Sequence, residues 1–255
     1  MTGVRILNGR FDPCSTVETI EAVTQAIYAG ERGVLCTVNV AILMMMRSDP
    51  RLQRFVDTAR WTVADGQPLV WASRLGPKPL PERVTGVDLI DLLCARAARD
   101  GFGVYLLGAN IGTVRRAAEV LRARHRGLDI RGIADGYFSP EQAADRARAV
   151  KESGAGLLFV AMGAPLQEQF IEEQWERLGA RVVIGVGGSF EIIAGHRKRA
   201  PAILQHAGLE WAFRLAQEPR RLFKRYLFTN SRFLGLMFRE FVPELARARR
   251  EPGHI

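Results

Sequence analysis

Several loops that announce common chemistries are missing from this sequence of 255 residues. There is no GxxxxGKS/T, no GxGxxG at a strand-to-helix junction and no GxSxG. A phosphate-loop NTPase, a standard dinucleotide oxidoreductase and an α/β-hydrolase each lose their most diagnostic feature. Cysteine is scarce: Cys14, Cys36 and Cys94 are odd in number, widely spaced and without a CxxC, which argues against a disulfide framework or a zinc site and fits a reducing cytosol. The four histidines, His125, His196, His206 and His254, are scattered, and HExxH and Asp-x-Asp are both absent. A site without metal or cofactor is the expectation. The N-terminal segment lacks an apolar signal core, and no apolar stretch approaches the roughly 20 residues of a spanning helix. If the protein meets a membrane, it is expected to lie on it.

Negative charge is short in one region only. Residues 196–255 hold 13 Lys+Arg against 5 Asp+Glu, whereas residues 1–195 hold 23 against 22, so nearly all of the formal +9 is C-terminal. A concentrated positive field speaks of partners such as headgroups, phosphates or nucleic acid, and not of fold. With 47% apolar and 25% charged residues, the chain is otherwise ordinary for a globular protein.

Along the body, β-rich runs at 34–40, 61–64, 104–108, 129–133, 156–163 and 181–188 alternate with helix-period segments. The helices are expected at 19–28, opened by a Ser15-x-x-Glu18 capping box, and at 87–100, 113–125, 140–153 and 167–178. Near-continuous apolar strands with short connections imply an α/β fold, a Rossmann-like parallel sheet flanked by helices. Ligands of such a sheet bind beyond the carboxyl ends of the strands. A catalytic domain over 1–195 and a basic helical appendage over 196–255 are the expected organisation.

Polar residues do gather just after the strands. Thr37 and Asn39 alternate onto one side of the first, where a helix cap is the competing role. Asp65-Gly66 follows the second, and Asp135-Gly136-Tyr137-Phe138 repeats that pattern farther on. Gly163 to Glu168 leaves a strand through a Gly/Pro turn. Gly185, Gly187 and Gly188 end the last strand, where bare N–H groups can cradle a diphosphate or the glycines can simply pack.

In order, these fragments resemble the bacterial WecG/TagA/CpsF glycosyltransferases: TVN at 37, ADG at 64, RVTGVDL at 83, LLGA at 106, DGYF at 135, MGAPLQE at 162, GVGGSFE at 185, AGHRKRAP at 194, LEWAFRL at 209 and EPRRLFKRY at 218. The resemblance implies metal-independent, inverting transfer of a sugar from a UDP-sugar to a sugar on a polyprenyl diphosphate, in surface-polysaccharide synthesis. It implies Asp65 as the base, with Thr37 and Asn39 orienting the reacting groups. Arg83 would meet the leaving diphosphate. Gln167, Gly185, Gly187 and Gly188 would hold the donor's diphosphate and sugar, with Asp135, Tyr137 and Glu191 nearer the nucleoside, and Gly108 and Gly163 count among the substrate-binding residues.

Two departures fall in that presumed donor pocket: Leu166 where relatives have Lys, and Glu191 where they have Asp. They leave N-acetylmannosamine and glucose both open as the sugar. An acceptor fixed in a bilayer calls for a docking surface. From Pro219, apolar residues recur at helical spacing with Arg220, Arg221, Lys224 and Arg225 between them, as on an interfacial helix at the cytoplasmic face of the inner membrane. Those cations and Arg214 would touch lipid or diphosphate, unless the apolar stripe packs on the body or on another subunit of a homo-oligomer. The rivals are a non-catalytic nucleotide-sugar or nucleic-acid-binding protein. The absence of a recognised nucleic-acid reading motif argues against nucleic acid.

Overall fold

A computed structural model of the chain describes residues 3–219 and 228–240. Its first element is a hairpin of β1 (Val4–Ile6) and β2 (Gly9–Phe11), absent from the sequence-based assignment. Val4, Ile6 and Phe11 are buried while Arg5 and Arg10 are exposed, a period-2 signal only three residues long in each strand. Next, α1 (Thr16–Tyr28) begins at the expected capping box: Glu18 N–H donates to Ser15 Oγ at 3.2 Å and Ser15 N–H to Glu18 Oε2 at 2.8 Å.

The chain continues through β3 (Gly33–Val38), α2 (Val40–Met46), α3 (Pro50–Thr58), β4 (Trp61–Ala64), α4 (Gln67–Ser73), α5 (Gly86–Asp100), β5 (Val104–Gly108), α6 (Ile111–Arg124) and β6 (Ile130–Ala134). A 3₁₀ turn (Pro140–Gln142) then leads into α7 (Ala143–Ser153), β7 (Leu157–Ala161), α8 (Leu166–Leu178), β8 (Val182–Gly185) and α9 (Ser189–Ile193). Two short helices follow, α10 (Ala202–His206) and α11 (Glu210–Gln217), and residues 228–240 are helical. The strand expected to reach residue 40 stops at Val38, because Asn39 caps the helix built from the apolar run after it.

Six strands form one parallel sheet in the order β4-β3-β8-β7-β5-β6. Successive side chains point to opposite faces, so Leu158 and Val160 enter one core with α2, α3, α7 and α8. Leu157, Phe159 and Ala161 enter the other with α1, α5, α6 and α9. The hairpin shields the β4 edge: Asp12 N–H donates to the Thr62 carbonyl at 2.8 Å, and the Asp12 carboxylate accepts the Thr62 N–H at 2.8 Å.

From β3 to β6, neighbouring strands send the chain to alternate faces. After β3 it enters α2 on the first core, after β8 it enters α9 on the second, and after β7 it enters α8 on the first. Where connections diverge in this way the carboxyl edge of a parallel sheet opens into a crevice.

Candidate active site

A crevice of about 390 Å³ lies at that edge, within the usual size range of small-ligand sites. Its floor comes from the ends of β3, β4, β7 and β8, and one wall from residues 186–192. Arg197, Lys198, Gln205, Glu210 and Trp211 of the C-terminal segment stand on its rim.

Thr37, Asn39 and Asp65 all line it. The parallel register sets Thr37 beside Val63 and Val38 beside Ala64, and the Asp65 N–H extends the ladder by donating to the Val38 carbonyl at 2.8 Å. Thr37 is buried, and its hydroxyl donates to the Gly185 carbonyl at 2.9 Å, tying the ends of β3 and β8 together. The Asn39 side-chain oxygen accepts the Ile42 N–H at 3.1 Å, so this residue does cap a helix while facing the crevice.

Arg83 is brought next to Asp65 by the following residue, whose N–H donates to the Ala64 carbonyl at 2.9 Å. Its guanidinium is largely buried and is shared between Glu210 at 2.5 Å and Gln205 at 2.6 Å, which pins α10 and α11 to the crevice. Behind it, Arg199 donates to Asp88 at 2.6 Å. That bond above all holds its charge, and Glu210 and Asp65 add to the attraction. Burial works against ionisation of Asp88, but Arg199 and Thr85 outweigh it and keep the carboxyl below its ordinary range.

The glycine loop is less bare than its sequence implies. Gly187 takes a left-handed φ of +55°, and its N–H donates to the Gln167 side-chain carbonyl at 3.0 Å. Gln167, only 2% exposed, lines the crevice as a strut between α8 and this loop. A methyl group on Gly185 would meet its amide nitrogen at 2.7 Å, so close packing governs that glycine, which is not among the lining residues. Gly187 and Gly188 do face the crevice, and the Arg197 guanidinium comes within 3.5 Å of where a Gly188 side chain would start.

The remaining sequence-derived residues divide. Gly163, Tyr137 and Glu191 line the crevice, Tyr137 being 79% exposed and Glu191 lying 3.4 Å from His196. Gly108 and Asp135 do not. Gly108 lets β5 approach the Ala161 carbonyl, which a methyl group would meet at 2.4 Å. Asp135 pairs with Arg146 at 2.8 Å and accepts the Tyr137 N–H at 3.1 Å, so it shapes the turn that presents Tyr137. Arg220, Arg221, Lys224 and Arg225 lie outside the described residues, as does the side chain of Arg214. Arg197 and Lys198 were not singled out in the sequence. They lie within the AGHRKRAP fragment at 194, to which no role was given, and the basic run there carries no periodicity that would mark them as site-facing.

A polar crevice over a parallel sheet, with an aspartate and arginines converging on it, places the chain among α/β enzymes that bind substrates beyond their strand ends. The model of the glycosyl transferase WecG/TagA/CpsF family matches residues 4–247. The chain belongs to this glycosyltransferase family.

Proposed function

We propose that the protein is an inverting, metal-independent transferase that moves a sugar from a UDP-sugar to a sugar carried on a polyprenyl diphosphate. It would work at the cytoplasmic face of the bacterial inner membrane, in surface-polysaccharide synthesis. The observation carrying this reading is the convergence of Asp65, Thr37 and Asn39 on one side of the crevice with Arg83, Arg197 and Lys198 on its rim. Asp65 takes the proton of the acceptor hydroxyl as that oxygen bonds to the anomeric carbon. The bond from that carbon to the diphosphate oxygen breaks on the opposite side, and the departing charge is met by the arginines. N-Acetylmannosamine and glucose are the two sugars in view.

The C-terminal helix supports docking on a bilayer. In residues 228–240, Phe233 and Met237 are buried against the body, whereas Phe228, Leu234 and Phe238 are exposed beside exposed Arg232 and Arg239. An apolar outer face with flanking cations suits an interfacial helix. No helix among the described residues is long and apolar enough to cross a membrane. We take residues 196–255 as the docking and site-completing appendage.

The decisive experiment offers a panel of UDP-sugars with a lipid-diphosphate-linked monosaccharide and reads the product linkage by NMR. Asp65→Asn should keep UDP affinity and the unfolding midpoint while turnover falls about 10²–10⁴-fold, the usual contribution of a positioned base. Turnover within a few-fold of the unaltered protein would remove Asp65 from that role.

A further inference from the structure

Glu168 is the buried carboxyl that the proposed reaction leaves without a part. It sits in the first turn of α8 and is 6% exposed. Its Oε1 accepts from the Gln167 Nε2 at 2.8 Å, while its Oε2 is buried with no hydrogen-bond partner. Complementing the helix dipole does not require such depth, because an exposed carboxylate in the first turn does so without losing its hydration.

The bond to Gln167 has a directional consequence. A primary amide can turn end for end, exchanging its donor and acceptor. Here the acceptor end takes the Gly187 N–H at 3.0 Å, and the donor end is fixed by Glu168. Remove the Glu168 acceptor and the amide loses what keeps its oxygen, and not its nitrogen, at the Gly187 N–H. Gly187 and its neighbour form the crevice wall against which Arg197 lies.

We propose that Glu168 is a positioning residue: by fixing the Gln167 amide it holds the glycine loop in the shape that receives the donor's diphosphate, without touching the donor. This rests on the reading of that wall as the donor side. The surroundings call for a neutral side chain. Cys36 of β3 is buried and, held protonated chiefly by that burial, supplies no charge to the region. In the small hollow between α3 and α8 that Glu168 borders, Asp49 and Glu172 are acidic, and the cation, Arg51, is already shared by Glu172 and Glu173. Among the described residues that line it, no cation is left to offset a buried carboxylate. Burial lifts the Glu168 carboxyl above its ordinary range, opposed by the Gln167 bond and its own backbone N–H. A glutamine at this position keeps the acceptor and brings no charge into the buried site.

The test measures UDP affinity by calorimetry, and donor and acceptor KM separately, in the full chain and in Glu168→Gln and Glu168→Leu. Glu168→Gln should bind UDP within about twofold of the unaltered protein. Glu168→Leu should bind it at least about tenfold more weakly and raise donor KM in step, with acceptor KM unchanged. A loss of folded protein alone would lower kcat and leave both KM values in place. A folded Glu168→Leu with unaltered UDP affinity overturns the inference, as does a Glu168→Gln as impaired as Glu168→Leu. Should Glu168→Leu fail to fold, Glu168→Asp withdraws the acceptor by one methylene and is read in the same way. If the unaltered protein binds no UDP, the donor reading itself falls and this inference with it. Intact UDP binding that is indifferent to residue 168 sinks the inference alone.

Discussion

Alanine at Gly185 isolates the strut that joins α8 to the glycine loop. Gly185 has no left-handed φ, so alanine brings no backbone strain and acts through contact only. Its methyl would stand 2.7 Å from the Gln167 amide nitrogen and 3.2 Å from Cδ. An overlap with the tip of a flexible side chain is usually relieved cheaply, but this tip is buried and held at both ends, by Gly187 and by Glu168. Rotating it away breaks both bonds, worth about 1 kcal/mol each, and strands a buried acceptor on Glu168 at about 1 kcal/mol more. The sum is about 3 kcal/mol, or a fall in Tm of roughly 6–12 °C for a chain of this size. Urea unfolding at constant m-value measures it. Gly163→Ala is the control: nothing lies within 4 Å of its added methyl and φ is +78°, so only conformational strain of about 1 kcal/mol is expected. In a Gln167→Ala background the obstacle is gone, and Gly185→Ala should then cost under about 0.5 kcal/mol. The reasoning fails if Gly185→Ala is within about 0.5 kcal/mol of the unaltered protein, or costs as much with Ala as with Gln at position 167.

Asn39→Ala should lose about 1 kcal/mol as the cap of α2 is removed, whereas Asn39→Asp keeps the accepting oxygen and should unfold at an unchanged midpoint. If the Asn39 N–H₂ also orients substrate, Asn39→Asp will lower turnover at that unchanged stability. Serine at Phe228, Leu234 and Phe238 together should leave Tm within about 2 °C, since all three are exposed, and should cut sedimentation with anionic liposomes at least about tenfold. Unchanged sedimentation would remove the helix from membrane docking. The folded-state pKa of Glu168 is raised above its ordinary value of 4.5, so the folded state holds a proton that the unfolded state has lost. The stability it contributes is complete below that value and declines as pH rises towards the raised one, by about 1.4 kcal/mol per pH unit within the window. Glu168→Gln should flatten this slope in denaturant titrations run at a series of pH values, and an identical slope in both proteins would mean that Glu168 is ionised throughout.

Much of the body was legible because its signals are local. The Ser15–Glu18 capping box, the apolar stripes of α5 to α8 and the apolar runs of the sheet each declare themselves within a dozen residues. The N-terminal hairpin was missed because three residues per strand give alternation no length over which to count. The apolar run after Asn39 reads equally well as an extended strand or a buried helix. Only the cap decided it, and a cap is a contact between a side chain and a backbone group that must already be folded. The C-terminal stripe showed helical spacing from the start, but spacing could not tell that Phe233 and Met237 face inward while Leu234 and Phe238 face outward.

The site itself was legible in residue type and not in the use made of each residue. Thr37, Asn39 and Gln167 sit where strand-end reasoning put them, yet each commits part of its hydrogen-bonding capacity to backbone: the Gly185 carbonyl, the Ile42 N–H and the Gly187 N–H. What is left for a ligand is the remainder, namely the lone pairs of the Thr37 hydroxyl and the amide hydrogens of Asn39. Such commitments join residues far apart in the chain, 148 positions for Thr37 with Gly185 and 127 for Arg83 with Glu210, and no local pattern encodes them. They explain why a carboxyl as remote from the substrates as Glu168 bears on the crevice. When one side chain both holds the fold and faces the ligand, whatever fixes its orientation also fixes which of its atoms the ligand meets.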